Sequence, residues 1–152
     1  MTVRFFIHPI VDRFYFWLLE IGQIKVGLHP AEGWLLSMGN RIVYLSDTES
    51  FMPLLPLLEI DREYFLESLH RASLVCVELN TLDFSLQERL LIRYALTSSV
   101  SEYWPNKALA WVRSQPEMVD DLRQDLEAAI KKPWASQSFK HQVRKVLKNV
   151  AN

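Results

Sequence analysis

The residues of this sequence best suited to chemistry are its histidines, its cysteine and a group of closely spaced carboxylates. The histidines are His8, His29, His70 and His141, and the cysteine is Cys76. No two histidines are four residues apart, the spacing that places two zinc ligands on one helix face. The four glycines are scattered, so no glycine-rich loop is present to bind phosphate. The sequence therefore predicts neither a metal site nor a cofactor.

Nucleophilic catalysis has little support in the sequence. There is no Gly-x-Ser-x-Gly segment, and Cys76 lies in the apolar run 74–77, where a buried, inert thiol is expected. Catalytic triads assemble from distant positions, which leaves His8 and His70 as possible partners of Cys76. A metal-independent hydrolase or lyase ranks last among three hypotheses, and we expect the protein not to be an enzyme.

The carboxylates suggest a different use. Six of them fall within residues 47–67, where Arg62 is the only basic residue. This acidic set comprises Asp47, Glu49, Glu59, Asp61, Glu63 and Glu67. It flanks an apolar segment that begins with Phe51 and Met52. Apolar anchors inside a charged rim are typical of protein-binding patches, and the negative charge would speed encounter with a basic partner. We predict that the acidic set, Phe51 and Met52 form a partner-binding site.

Two further charged segments occur nearer the C-terminus. Residues 117–130 read as a helix with a second acidic face, offset only by Arg123: Glu117, Asp120, Asp121, Asp125 and Glu127. From Lys131 onward there are six bases and no acid, with Trp134 and Phe139 between them. Bases can bind phosphates while an aromatic ring stacks on a nucleobase. The alternative function is therefore a nucleic-acid-associated regulator, using Lys140, Arg144, Lys145 and Lys148.

The elements that position these residues begin with a hairpin in residues 33–45. Two apolar runs flank Gly39-Asn40, and a two-residue loop with glycine first suits a tight hairpin turn. The expected facing pairs are Met38 with Arg41, Leu36 with Val43, and Trp34 with Leu45. Both faces of this hairpin are largely apolar, so we expect it to lie between two layers.

Residues 10–21 fit two structures. Pro9, Asp12 and Gly22 would frame a helix, whereas residues 14–17 have strong strand propensity. We favour strands, which give an antiparallel meander from a first strand at residues 3–7 through Leu45.

Residues 46–83 combine a connector, a helix and a strand. We expect an extended or one-turn connector over residues 51–58, because two prolines interrupt it. A helix capped by Asp61 should run to about Arg71, with Tyr64, Phe65, Leu69 and Leu66 directed inward. A further strand is expected at residues 74–79.

The remainder is expected to be helical. Capping-box sequences begin at Ser85 and Ser114. Further helix starts are expected at Trp104-Pro105 and at about Ser136 or Ser138. The predicted fold is α+β, with an antiparallel meander packed with about four C-terminal helices.

Length and composition suit a single domain over residues 1–152, in which residues 1–83 are mixed and residues 84–152 helical. The first part carries six bases against eleven acids, a net charge of −5, and the second carries eleven against seven, a net charge of +4. A single cysteine suits a reducing compartment. The N-terminal residues lack the apolar core of a secretory signal, and no apolar run approaches bilayer length. We expect a cytoplasmic protein with no membrane partner.

In overall character the sequence resembles the immunity proteins of bacterial toxin systems, such as contact-dependent growth inhibition. The residues that carry this resemblance are the acidic set around Phe51-Met52 and the acids at positions 117–127. It implies a small, single-domain, non-catalytic protein that covers the active site of a cognate toxin with a basic surface. Asp47, Glu49, Asp61 and Glu63 would then meet lysine or arginine residues of the toxin. The basic C-terminal segment departs from this pattern.

Overall fold

A computed structural model describes residues 2–82 and 85–151 of the chain. The chain divides into two compact units, Met1–Leu86 and Gln87–Asn152. The division lies three residues from the boundary expected at 83/84. The first unit holds an antiparallel sheet with helical segments after it, and the described part of the second is helical. The predicted α+β class is therefore confirmed, while the assignment of the whole chain to a single domain stays a prediction.

The sheet of the first unit has five strands in sequential order. They are β1 (Val3–Asp12), β2 (Tyr15–Ile21), β3 (Ile24–His29), β4 (Gly33–Met38) and β5 (Arg41–Tyr44). Every neighbouring pair is antiparallel, so the predicted meander is confirmed. Of the ambiguous residues 10–21, residues 10–12 and 15–21 form strands joined by a turn, in keeping with the preference of aromatic and β-branched residues for a pleated surface.

The hairpin of β4 and β5 has the predicted register. Met38 pairs with Arg41 and Leu36 with Val43, and the Leu45 amide donates to the Trp34 carbonyl at 3.0 Å. Gly39 begins the turn at φ 65°, in the left-handed region that favours glycine. Burial on both faces holds for β4, but β5 is an edge strand whose Ile42 and Tyr44 remain exposed. The prediction of two covered faces is therefore wrong for β5.

The first strand extends five residues beyond its predicted end at Ile7. Phe5 pairs with Leu19 and Ile10 with Trp17, so four residues of β1 lie opposite one residue of β2. This irregularity contains Pro9, which has no N–H to donate to the ladder. Ile7 is 87% exposed within it.

A 3-10 helix (Glu49–Glu59) and helix α1 (Arg62–Val75) follow the sheet. The connector expected to be extended or one turn long is thus an eleven-residue helix, which accommodates Pro53 and Pro56. Asp61 caps α1 as predicted, since its carboxylate accepts from the Glu63 amide at 3.2 Å. Phe65 and Leu69 are buried.

Two further predictions for this segment are wrong. Tyr64 and Leu66 are exposed, because they lie at the two edges of the buried stripe of α1 and not at its centre with Phe65. The strand expected at residues 74–79 is absent from the described structure: α1 continues to Val75, and a 3-10 helix follows (Val77–Thr81).

The described part of the second unit contains the four predicted helices. They are α2 (Glu88–Ser98), α3 (Tyr103–Ser114), α4 (Val119–Ala129) and α5 (Gln137–Ala151). Each of them buries an apolar stripe, and a representative residue of each stripe is Leu91, Trp111, Leu122 and Phe139, in that order.

The helix starts differ in part from those predicted. Ser136 Oγ accepts from the Phe139 amide at 3.1 Å and caps α5, as expected. Helix α2 begins at Glu88, three residues after Ser85. Ser114 does not cap α4, because its hydroxyl donates to the Trp111 carbonyl of the preceding helix at 2.9 Å. A 3-10 turn (Pro116–Met118) lies between the two helices.

Candidate functional site

The acidic set lies at the surface of the first unit. All six of its carboxylate residues are exposed, and so is Met52, at 50% of its surface. Phe51 is 1% exposed and belongs to the core. Its predicted role as an apolar anchor is therefore wrong, because the 3-10 helix directs Phe51 inward together with Leu54, Leu57 and Leu58.

Two members of the acidic set also build local structure. Asp47 accepts from the Ser50 amide at 2.9 Å, and the Ser50 hydroxyl donates back to the Asp47 carbonyl at 2.6 Å. Asp61 caps α1. For the acids on helical surfaces, such as Glu49, Glu63 and Glu67, the predicted role in partner binding therefore rests on their exposure.

The second acidic face, expected on α4, is largely neutralised. Asp121 pairs with Arg89 at 2.7 Å, and Asp125 pairs with Arg93 at 2.9 Å. Asp120 lies 3.4 Å from Arg123. The prediction of an acidic face offset only by Arg123 is wrong, because two arginines of α2 meet this helix from 32 positions earlier in the chain.

The basic C-terminal segment remains a candidate for binding through its bases, but its two aromatic rings are engaged within the helical unit. Phe139 is buried, and Trp134 contacts it edge-on at 5.3 Å while donating from Nε1 to the Ser99 carbonyl at 3.1 Å. Both rings therefore stabilise the helical unit, and the expectation that they stack on nucleobases is wrong. Lys140, Arg144 and Lys148 recur every four residues along α5, and Arg144, Lys145 and Lys148 are exposed.

Aromatic side chains form a cluster at one end of the sheet, which the sequence-based predictions do not include. We call it the aromatic corner, and its members are Phe14, Tyr15, His29 and Tyr44. The His29 ring centroid lies 6.3 Å from that of Phe14, 5.9 Å from that of Tyr15 and 6.5 Å from that of Tyr44. His29 thus lies at the centre of three rings.

The strand register assembles this corner. Tyr15 and His29 come one step beyond the paired residues Phe16 and Leu28 of β2 and β3. His29 faces Gly33 of β4, which contributes no side chain between the histidine and Tyr44 of β5. Three strands and the β1–β2 turn therefore contribute to one cluster. A register shift of one residue would move these side chains to the other face.

Hydrogen bonds fix the histidine at the centre. His29 Nδ1 accepts from the Ala31 amide at 3.1 Å and from the Glu32 amide at 3.0 Å. A nitrogen that accepts carries no proton, so the neutral ring carries its proton on Nε2. These bonds hold the imidazole against its aromatic neighbours.

The surroundings of the Tyr44 phenol disfavour its ionisation. Partial burial raises the pKa of Tyr44, and its hydrogen bond with Tyr15 and the carboxylate of Glu32 raise it further. Tyr44 consequently remains an uncharged phenol, while Glu32 contributes negative charge beside the corner.

Trp17 is buried beside the corner, two residues from Tyr15 on the same face of β2. Its ring lies 5.5 Å from that of Tyr15 and packs over Gly27 of the neighbouring strand. A Cβ on Gly27 would lie 2.7 Å from Trp17 Cε3. The aromatic run 14–17 was the available sequence signal, but it could not show which rings meet His29.

The cysteine has the environment of an inert thiol. Cys76 is buried, as predicted, and its Sγ donates to Glu78 Oε2 at 3.3 Å. Burial raises the pKa of Cys76, and the bond and charge of Glu78 add to the rise. Within the described part of the chain, neither His8 nor His70 forms a hydrogen bond with this thiol.

We therefore expect iodoacetamide to modify Cys76 more slowly in the folded protein than in urea, with a pH midpoint above that of free cysteine. The stability contributed by the neutral thiol is lost as pH rises through its folded-state pKa. Intact-mass spectrometry against pH measures the rate. Glu78→Gln should lower the midpoint only in part, because burial is the larger cause. Equal rates in folded and unfolded protein would contradict this prediction.

Comparison with known proteins finds no protein-family model, curated protein or solved structure that matches this chain. Among the described residues, no group of three or more His, Cys, Asp or Glu side chains is arranged to hold a metal ion. In the same part of the chain, no helix has the length and apolar character needed to cross a membrane.

Proposed function

We propose that this is a non-catalytic protein-binding protein of the toxin-immunity type, which acts in the cytoplasm by covering the active site of a cognate toxin. The observation that carries the proposal is the exposure of all six carboxylates of the acidic set, together with the half-exposed Met52. The net charge of −5 over residues 1–83 supports a basic partner.

The mechanism combines steric occlusion with charge pairing. Exposed carboxylates act mainly on the rate of encounter, while affinity depends on a few well-packed anchors. With Phe51 assigned to the core, Met52 is the apolar anchor that remains beside the acidic set. The acids of α4 contribute less, because two of them already pair with arginines.

The test is co-expression with the product of the neighbouring open reading frame, a candidate toxin, followed by purification and kinetic binding measurements. We expect a stable complex that blocks toxin activity. Glu63→Lys with Glu67→Lys should lower the association rate about tenfold at low salt, because both charges that attract a basic partner are reversed.

A matched control makes the same change of charge in the second unit, with Glu117→Lys and Glu127→Lys. Both of these residues are exposed. The control should change the association rate much less than the acidic-set variant. Absence of a complex, or equal effects of the two double variants, would overturn the proposal.

The second candidate is a nucleic-acid-associated regulator that uses Lys140, Arg144, Lys145 and Lys148. The specific observation in its favour is the four-residue spacing of three of these bases along α5. None of the four forms an ion pair within residues 2–82 and 85–151. It ranks second because the rings expected to stack on nucleobases instead stabilise the helical unit.

A further inference from the structure

The aromatic corner is open to solvent, and two hydrogen bonds hold the ring of His29 at its centre. Phe14 is 69% exposed and Tyr44 is 37% exposed, whereas the neighbouring Trp17 is buried. Tyr15 and His29 are half-buried between them. Side-chain rings fixed on a rigid sheet lose little freedom on binding, which favours their use as contact residues.

The electrostatics of the corner favour a cation. The faces of aromatic rings carry negative potential and attract guanidinium or ammonium groups within about 6 Å of the ring centre. Two exposed acidic residues flank the rings: Asp12 pairs with Tyr15 in the strand register, and the Glu32 amide donates to His29 Nδ1 at 3.0 Å. Arg13, in the turn before Phe14, is the nearest base in sequence and offsets one of these charges.

We propose that the aromatic corner binds an arginine side chain of the partner protein, over its exposed rings of Phe14 and Tyr44 and beside Glu32. A planar guanidinium stacks on aromatic faces and donates to a carboxylate in a fixed fork, which a lysine ammonium cannot reproduce. This inference rests on the proposed function in that the partner is a protein with a basic surface. It adds a binding position outside the acidic set.

The experiment titrates the whole protein with N-acetyl-arginine methylamide and follows backbone amide shifts by NMR. The neutral isostere N-acetyl-citrulline methylamide serves as the control ligand. We expect saturable shifts centred on residues 14–15 and 29–32 with the arginine derivative, and at least fivefold weaker binding of the citrulline derivative. Equal binding of both, or shifts centred on residues 47–67, would overturn the proposal.

Variants separate ring contacts from charge. Phe14→Ala should weaken binding about two- to fivefold, the range for an exposed cation–π contact. Glu32→Gln should weaken it by a similar factor, because it removes charge and keeps shape. Glu117→Gln makes the same change in the second unit and should have no effect. If Phe14→Ala and Glu32→Gln both bind as the parent does, the corner is not the site.

The two proposals fail separately. The arginine titration contains no toxin, so its outcome does not depend on whether the neighbouring gene product forms a complex. Conversely, a complex weakened by reversing Glu63 and Glu67 supports the proposed function even if the corner binds no arginine. An intact complex that is unaffected by Phe14→Ala would confine recognition to the acidic set and overturn the inference.

Discussion

Replacing Phe51 with alanine should lower the free energy of unfolding by about 3–5 kcal/mol. The side chain is 1% exposed and belongs to the buried stripe of the 3-10 helix Glu49–Glu59. Truncation removes an entire ring and leaves a cavity that the surrounding side chains fill only in part. Urea unfolding followed by tryptophan fluorescence measures the loss, because Trp17 and Trp34 both lie in the first unit.

Met52 provides the matched control, one position along the same helix. Because it is half exposed, Met52→Ala should change the free energy of unfolding by no more than about 0.5 kcal/mol. It should nevertheless weaken association with the toxin, since it removes the apolar contact within the acidic set. Equal stability of the two variants would contradict the burial of Phe51 and restore it as a candidate surface anchor.

The sheet could be predicted from sequence because its determinants are local. The two-residue turn at Gly39-Asn40 between two apolar runs fixes the register, and Leu36 pairs with Val43 as a consequence. The helices after Ser85 were recognised for a similar reason, since apolar residues recur there at helical spacing.

The contrast between Phe51 and Met52 could not be predicted in the same way. Two prolines argue against a regular helix over residues 49–59. Without an expected helix, the sequence does not indicate whether Phe51 or Met52 faces the core. The strand predicted at residues 74–79 was wrong because an apolar run without a clear period suits either a strand or a helix. Helix α1 extends into this run, to Val75.

The aromatic corner and the ion pairs of α4 depend on contacts between distant parts of the chain. Tyr15 meets Tyr44 only after three strand pairings are fixed, and Arg93 meets Asp125 only when α2 and α4 pack. Local sequence patterns do not indicate which distant residues will come into contact. The acidic set could be proposed from sequence because its members are close along the chain, whereas the corner required the folded sheet.

Gly27→Ala should destabilise the protein by about 1–3 kcal/mol, the range for overpacking a filled site. An added Cβ would lie 2.5 Å from the Phe16 carbonyl oxygen and 2.7 Å from Trp17 Cε3, so the backbone of β2 or the indole must move. Gly39→Ala is the control, because its Cβ would meet nothing within 4 Å and its effect of about 1 kcal/mol comes from backbone strain at φ 65°.

The same substitution links the sheet interior to the proposed contact surface. A displaced Trp17 ring changes the support of Tyr15, so Gly27→Ala should also weaken binding of N-acetyl-arginine methylamide, whereas Gly39→Ala should not. Urea unfolding and the NMR titration supply the two measurements. A Gly27→Ala protein that is as stable as the Gly39→Ala protein and binds arginine unchanged would show that the indole is not held against this glycine.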